Sequence, residues 1–307
     1  MHCNRLLAAK KARLTERARI IQRIRSFFVR EGYLEIDTPL LLPTVAPEAY
    51  IDPVAAGSGF LQTSPELCMK RLAAAGYERI FQLAHCWRER ERGTLHLPEF
   101  TMLEWYRADS DYRWLMSETS SLLRYLVHNS TATEVLSYQG KTIDLSGEWE
   151  QLPVREAFSR FGGVSMEEAL RSDDFDRVMV ERIEPELGKE KPVFLYDYPA
   201  CRSALARLKE SDPSVAERFE LYIAGIELAN GFSELIDPVE QRRRFLHDNA
   251  QRHAAGVTVL PLPERFLAVM ASMPQTAGIA LGVDRLVMLL TDAGAIDDVV
   301  TFTPEEL

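Results

Sequence analysis

The order of apolar and polar positions along the chain outlines its elements. Within residues 14–31, Ile21, Ile24 and Phe28 recur on one helical face. Gly32 follows where a helix end favours a positive φ. Leu34 to Thr38 reads as extended, and Pro39 ends its pairing. Residues 46–62, with Pro47, Pro53, Gly57 and Gly59, read as loop and turn. A short helix is expected from Pro65 to Ala75, with Ser64 as its N-cap. Alternation marks strands at Arg79–Trp87 and Phe100–Arg107, joined by the charged loop Arg88 to Thr94. Helices are expected at 112–128, 153–161, 165–171, 174–186 and 237–255, and from Val283 to about Leu290. A hairpin fits residues 134–152, with its turn at Gln139-Gly140. Further strands fit residues 193–196, 219–227, 231–236 and 278–282. Strands outnumber what a parallel βαβ pattern would supply, so an α+β fold with a mainly antiparallel sheet is expected.

Composition narrows the class. The chain has 307 residues, 46% hydrophobic and 27% charged, enough for a sizeable core without disulfide or metal staples. No apolar run approaches the roughly 18 residues of a membrane span, and the basic N-terminus lacks the apolar segment of a signal peptide. Cys3, Cys68, Cys86 and Cys201 form no Cys-x-x-Cys pair, which argues for a reducing cytoplasm. The net charge of −10 disfavours a broad nucleic-acid surface. The first thirty residues run the other way, with nine basic residues against Glu16 alone, a local charge of +8. That excess reads either as a solvated helix face or as a docking face for an acidic partner, protein or tRNA.

Familiar motifs fail first. Gly140-Lys141-Thr142 lacks the upstream glycine of a phosphate loop, where Val135 stands, and sits in the expected hairpin. Gly57-Ser58-Gly59 lacks the third glycine of a dinucleotide loop. The histidines lack metalloprotease spacing, and no serine sits in a Gly-x-Ser-x-Gly elbow. Three other segments carry chemistry. Glu220 and Glu227 lie in otherwise apolar strands, where an unpaired acid is costly, so they should meet cations. Structural arginines would serve, and so would Mg²⁺, which binds carboxylates together with substrate phosphates. Arg88 and Arg285 each end an apolar strand, where a guanidinium suits phosphate or carboxylate recognition. Together these point to a nucleoside triphosphate with Mg²⁺.

The segments Arg88 through Tyr106 and Gly278 through Leu286 resemble motifs 2 and 3 of class II aminoacyl-tRNA synthetases, and Phe28 to Leu42 resembles motif 1. Thr63 to Leu72 and Glu227 to Glu234 are similar to the substrate segments of the lysyl branch. The resemblance covers about residues 15–300. It implies a single catalytic domain over residues 1–307, with a small insertion at about 134–190 and without the anticodon-binding domain of lysyl-tRNA synthetases. It therefore points to the stand-alone lysyl-type relatives, which join lysine or β-lysine to a lysine of translation elongation factor P. A tRNA-charging enzyme and a non-catalytic regulatory paralogue are the alternatives.

The resemblance also implies roles. ATP and the amino acid would form an aminoacyl-adenylate, which an acceptor amine then attacks. Arg88 and Arg285 would be the catalytic arginines. Glu89, Arg90, Glu91, His96, Leu97, Phe100, Glu227, Leu228 and Gly282 would join them around ATP, with Glu220 and Glu227 holding Mg²⁺. Ser64, Pro65, Glu66, Glu104, Tyr106, Asn230, Glu234 and Ala280 would bind the amino acid, with Glu234 expected to meet its side-chain ammonium. Ala280 stands where the lysyl enzymes usually have glycine, and its methyl narrows the region around the α-carbon. Motif 2 usually reads Arg-x-Glu, but here the third position is Arg90 and the acid is displaced to Glu91. A homodimer built through motif 1, around Pro39, is expected.

Overall fold

The structure is a computed structural model and describes residues 2–307, with side chains from residue 7 onward. Cys3 and Arg5 fall outside the described side chains. Helix α1 (His2–Arg30) is much longer than its apolar stripe predicts. Ile20, Ile24, Phe27 and Phe28 anchor its second half in the core. Its first half is rich in Ala, Leu, Lys and Arg, which favour helix without an apolar face. The helix ends as expected, with Gly32 at φ 76° and the Tyr33 N–H donating to Phe28 O at 2.9 Å.

Among the described residues, the main sheet has nine strands. Eight of them are, in chain order, β1 (Leu34–Glu35), β2 (Arg79–Trp87), β3 (Glu99–Ala108), β4 (Glu150–Pro153), β5 (Val193–Pro199), β6 (Asp212–Ile223), β7 (Ile226–Ser233) and β8 (Thr276–Gly282). Their spatial order is β1-β2-β3-β8-β7-β6-β5-β4, with Leu208–Lys209 beside β6. Only β1–β2 and β4–β5 pair parallel; the other pairings are antiparallel. This is the expected α+β architecture. Helix α3 (Tyr112–Thr131), following α2 (Glu66–Ala74), and helix α1 share one large core with the inner face of β2, β3 and β8. Helix α4 (Pro238–Ala254) and then α5 (Val283–Leu290) complete the set that frames the site.

Three expectations are corrected. Residues 46–62 are not all loop: Ala55–Ala56 and Gly59–Leu61 form a small sheet with Leu41–Leu42. The strands expected at 219–227 and 231–236 are β6 and β7, turning at Ala224-Gly225 with both φ positive. Asn230-Gly231, a turn-like pair, lies inside β7 because a Cβ at Gly231 would lie 2.8 Å from the Phe219 ring. The third concerns the basic helix. Lys10 is buried and bonds Glu306 at 2.9 Å, Arg17 pairs with Asp284, Arg23 with Glu16, and Arg13 lies 3.8 Å from Asp298. Glu16 is already counted in the +8, but Lys10, Arg13, Arg17 and Arg25, the last 2.8 Å from Glu35, meet acids outside the segment and offset about half of it. Gln139 and Gly140 both have positive φ, as a tight hairpin turn requires, which removes the phosphate-loop reading.

Candidate active site

Strand alternation builds the site. Met102, Glu104 and Tyr106 project from one face of β3, while Leu103 and Trp105 enter the core behind. Gly278, Ala280 and Gly282 of β8 do the same, with Ala277, Ile279 and Leu281 in the core. Register carries the row onward: Ala280 sits between Glu104 and Asn230, and Asn230 opposes Glu220. Over this face lies a cavity of about 480 Å³, closed by the loop around Glu48, the segment Arg88–Leu97, and helix α4.

One end of the cavity attracts cations. Ser64 and Glu66, at the start of α2, join Glu104 and Tyr106. Ser64 donates to Glu104, Tyr106 Oη donates to its other oxygen at 2.9 Å, and the Glu66 N–H donates to Ser64 Oγ at 3.0 Å. Ser64 therefore bonds the first turn of α2 as expected, although the capping position itself falls on Pro65. Burial, then the nearby Glu66 charge, pushes the Glu104 carboxyl up to about 8. A cation binding there must displace a proton. The apparent affinity for a lysine-like substrate is therefore expected to fall as pH drops below about 8, approaching tenfold per unit, measurable by titration from pH 6 to 9.

Behind this end lies a buried ion cluster. Lys70 of α2 is wholly buried and bonds both Glu66 and Glu234. Burial alone would lower its pKa, but the two carboxylates outweigh burial and keep it protonated. Glu234 itself is buried and does not line the cavity. A Cβ at Gly278 would fall 2.4 Å from Glu234 Oε1, so only glycine lets that carboxylate lie against the cavity floor. Among the described residues, the Lys70 ion pair is the charged contact of Glu234, and neither of its oxygens accepts a bond of good hydrogen-bond geometry.

The other end attracts anions. Arg88 lies over the Phe100 ring, 5.2 Å from its centroid, with its Nη1 3.7 Å from Glu91. Its Nε is buried without an acceptor, a donor waiting for a ligand. Arg285, in the first turn of α5, donates to Glu227 O at 2.8 Å and reaches the His96 ring. Burial and the Arg285 charge lower the His96 pKa, so the neutral ring accepts that bond. Leu97, Leu228, Asn230, Ala280 and Gly282 line the wall between.

The remaining expected residues lie elsewhere. Pro65, Glu89 and Arg90 do not reach the cavity; Arg90 is 73% exposed, 3.9 Å from Asp52. Glu220 does not line it either: its carboxylate accepts from Tyr198, Tyr222 and Arg218. Glu227 does line it, and burial with the neighbouring Glu220 raises it to about 7. Among the described residues, no three acidic, histidine or cysteine side chains converge as a closed metal cage would. One open carboxylate beside an anion-binding end still fits Mg²⁺, which takes its other oxygens from phosphate and water. Lys70, Arg218 and Glu48 were missed from sequence. Spacing was the available signal for two of them: Lys70 lies four residues after Glu66 on a helix, and Arg218 two before Glu220 on a strand.

Comparison with known proteins agrees with this geometry. The sequence pattern of tRNA synthetases class II (D, K and N) matches residues 5–306. The elongation factor P–(R)-β-lysine ligase of Erwinia tasmaniensis is 44% identical over 96% of both chains. The ligases of the same name from Proteus mirabilis and Salmonella arizonae are 41% and 42% identical, again over 96% of both chains. A catalytic face built on an antiparallel sheet, the motif 2 and motif 3 arginines at one end of its cavity, and a match along almost the whole sequence lead to one assignment: the chain belongs to the class II tRNA synthetase family.

Proposed function

We propose that this chain activates (R)-β-lysine or lysine with ATP and joins it to a lysine side chain of translation elongation factor P. The observation that carries this reading is the two-ended cavity, with carboxylates at Glu66 and Glu104 and guanidinium groups at Arg88 and Arg285. A diamino acid would lie with its ammonium groups toward the acids and its carboxylate toward Arg88. Arg88 and Arg285 then stabilise the negative charge that builds at the α-phosphate, and no protein nucleophile is needed. Phe100 offers a ring face for the base. Glu227 would hold Mg²⁺, which when bound screens the phosphate charge. The single catalytic domain, with its insertion at about 134–190, belongs to this reading, as does the absence of tRNA from the reaction. Free thiols at Cys68, Cys86 and Cys201 support a reducing cytoplasm, and among the described residues no helix is long and apolar enough to cross a membrane.

The test is ATP–pyrophosphate exchange with α-lysine and each β-lysine isomer, followed by intact mass analysis of elongation factor P. Stimulated exchange and a lysyl mass increment on the factor are expected. Labelled lysine appearing on tRNA instead would replace this reading with a charging enzyme.

The protomers are proposed to pair around Pro39. Val29, Leu34, Leu40 and Leu41, all within about ten residues of Pro39 in the sequence, are large apolar side chains left exposed, and exposed apolar surface of this kind suits a protein interface. Light scattering at micromolar concentration is expected to report a dimer, and Leu41→Asp a monomer. A parent protein that scatters as a monomer would remove the proposal.

A further inference from the structure

Resting on the function proposed above, the transfer half-reaction has a proton to remove. A lysine side chain arrives as an ammonium, and at pH 7 only about one in 2,500 is the free amine. Most charged groups of the cavity are already engaged. Arg88 and Arg285 are permanent cations. Glu66 bonds Lys70, Glu104 is bonded by Ser64 and Tyr106, Glu227 and Glu91 face arginines, and His96 already accepts from Arg285. Glu48 differs. It lines the cavity, and among the described residues no hydrogen bond or ion pair holds its carboxylate.

We infer that Glu48 is the general base of the transfer step, taking the proton from the acceptor ammonium as the amine attacks the adenylate. Its placement is built, because the loop that carries it is clamped from both sides. Arg252 of α4, itself 1% exposed, donates to Glu48 O at 2.8 Å, Ile51 O at 2.7 Å and Asp52 Oδ1 at 2.9 Å. On the other side the Glu89 N–H donates to Asp52 O at 2.7 Å, tying the loop to the strand end that bears Arg88. Main-chain oxygens make most of these contacts, so the backbone that carries Glu48 is held while its carboxylate stays free.

The charges around it suit the task. Burial chiefly, then Glu66 and Asp248, raise the Glu48 carboxyl to about 7, against the pull of Arg88 and Arg218. His247 lines the same cavity from α4. A base near neutrality is ionised when needed and strong enough to accept. Asp248 lines the cavity too, but His247 and Arg244 of its own helix pull its carboxyl back down against burial. In the reaction, one proton passes from the ammonium to Glu48 and the freed lone pair forms the C–N bond. The C–O bond to the α-phosphate breaks, AMP leaves with that electron pair, and the second N–H proton departs to solvent.

The test uses the full-length enzyme carrying preformed adenylate, in single turnovers from pH 6 to 9. Elongation factor P and hydroxylamine, which is largely neutral at pH 7, serve as alternative acceptors. At pH 7, Glu48→Gln is expected to slow transfer to the factor by about 100-fold or more while hydroxylamine capture stays within about threefold. The parent rate should level above about pH 7, where Glu48 is ionised, whereas the variant rate keeps climbing about tenfold per pH unit with the free amine. Glu48→Asp should recover part of the loss. Transfer by Glu48→Gln within about twofold of the parent, equal loss with both acceptors, or a pH break abolished by Asp248→Asn instead, overturns the assignment. A parent enzyme that forms no adenylate, or passes none to the factor, overturns the function proposed above and not the role of Glu48 within it.

Discussion

Alanine at Gly278 is expected to reduce amino-acid activation by about 100-fold or more while ATP affinity stays near the parent value. The register of β8 puts Gly278 opposite Tyr106 on one side and Phe232 on the other. An added Cβ would lie 2.4 Å from Glu234 Oε1 and 2.4 Å from the Tyr106 ring, closer than real carbon contacts come. Neither neighbour can yield cheaply, since Glu234 is bonded to Lys70 and Tyr106 to Glu104. Relief therefore breaks a buried ionic contact, a loss of about 3–5 kcal/mol. Arg88, His96 and Arg285 sit at the other end and feel little. Pyrophosphate exchange and ATP titration calorimetry separate the two effects. Normal exchange in Gly278→Ala would mean that Glu234 and Tyr106 do not shape the amino-acid site.

Lys70→Met should cost the protein about 3–5 kcal/mol near neutral pH, because it leaves the buried Glu234 and the half-buried Glu66 without their cation and beside Glu104. The sign of its pH dependence follows. Burial already raises Glu104 and Glu234, and removing Lys70, whose charge lowers both, raises them further. Acids raised in the folded state bind protons more tightly there, so stability falls as pH climbs from their unfolded toward their folded values. The Tm deficit of the variant is thus expected to be smaller near pH 5 and to keep growing as pH is raised through 8. A diamino acid supplies positive charge to the same carboxylates, so lysine or β-lysine should raise the Tm of the variant more than that of the parent. A deficit independent of pH would point to lost packing rather than stranded charge.

Much of the fold and most of the site were legible in the sequence, for a common reason. Strand periodicity assigns a face, and once Glu104, Tyr106 and Ala280 share a face with Asn230, the cavity floor follows from local pattern. The exceptions depend on partners distant in the chain. Lys70 reads as an ordinary helix lysine until Glu234, 164 positions later, is folded against it. Arg252 reads as a surface arginine of an amphipathic helix, yet it holds a loop about 200 positions earlier. The basic N-terminal run looked like an unpaired face because its counter-charges, Glu306 and Asp284, lie near the other end of the sequence. The break between the strands expected at 219–227 and 231–236 was misplaced for another reason: a glycine that avoids a ring, Gly231, and one that makes a turn, Gly225, look alike in a one-dimensional string.

The Arg17–Asp284 pair bears on how this enzyme can be cut and rebuilt. Asp284 is 2% exposed, accepts from Arg17 with one oxygen and from the Thr101 N–H at 2.7 Å with the other, and immediately precedes Arg285. Helix α1 is therefore part of the wall that aims the nucleotide arginine, not a detachable handle. A minimal version beginning at β1 would take away the Arg17 partner of Asp284 and leave the Thr101 N–H alone to hold the first turn of α5. Anyone grafting this catalytic face onto another scaffold must carry the helix with it, even though no described side chain of α1 lines the cavity.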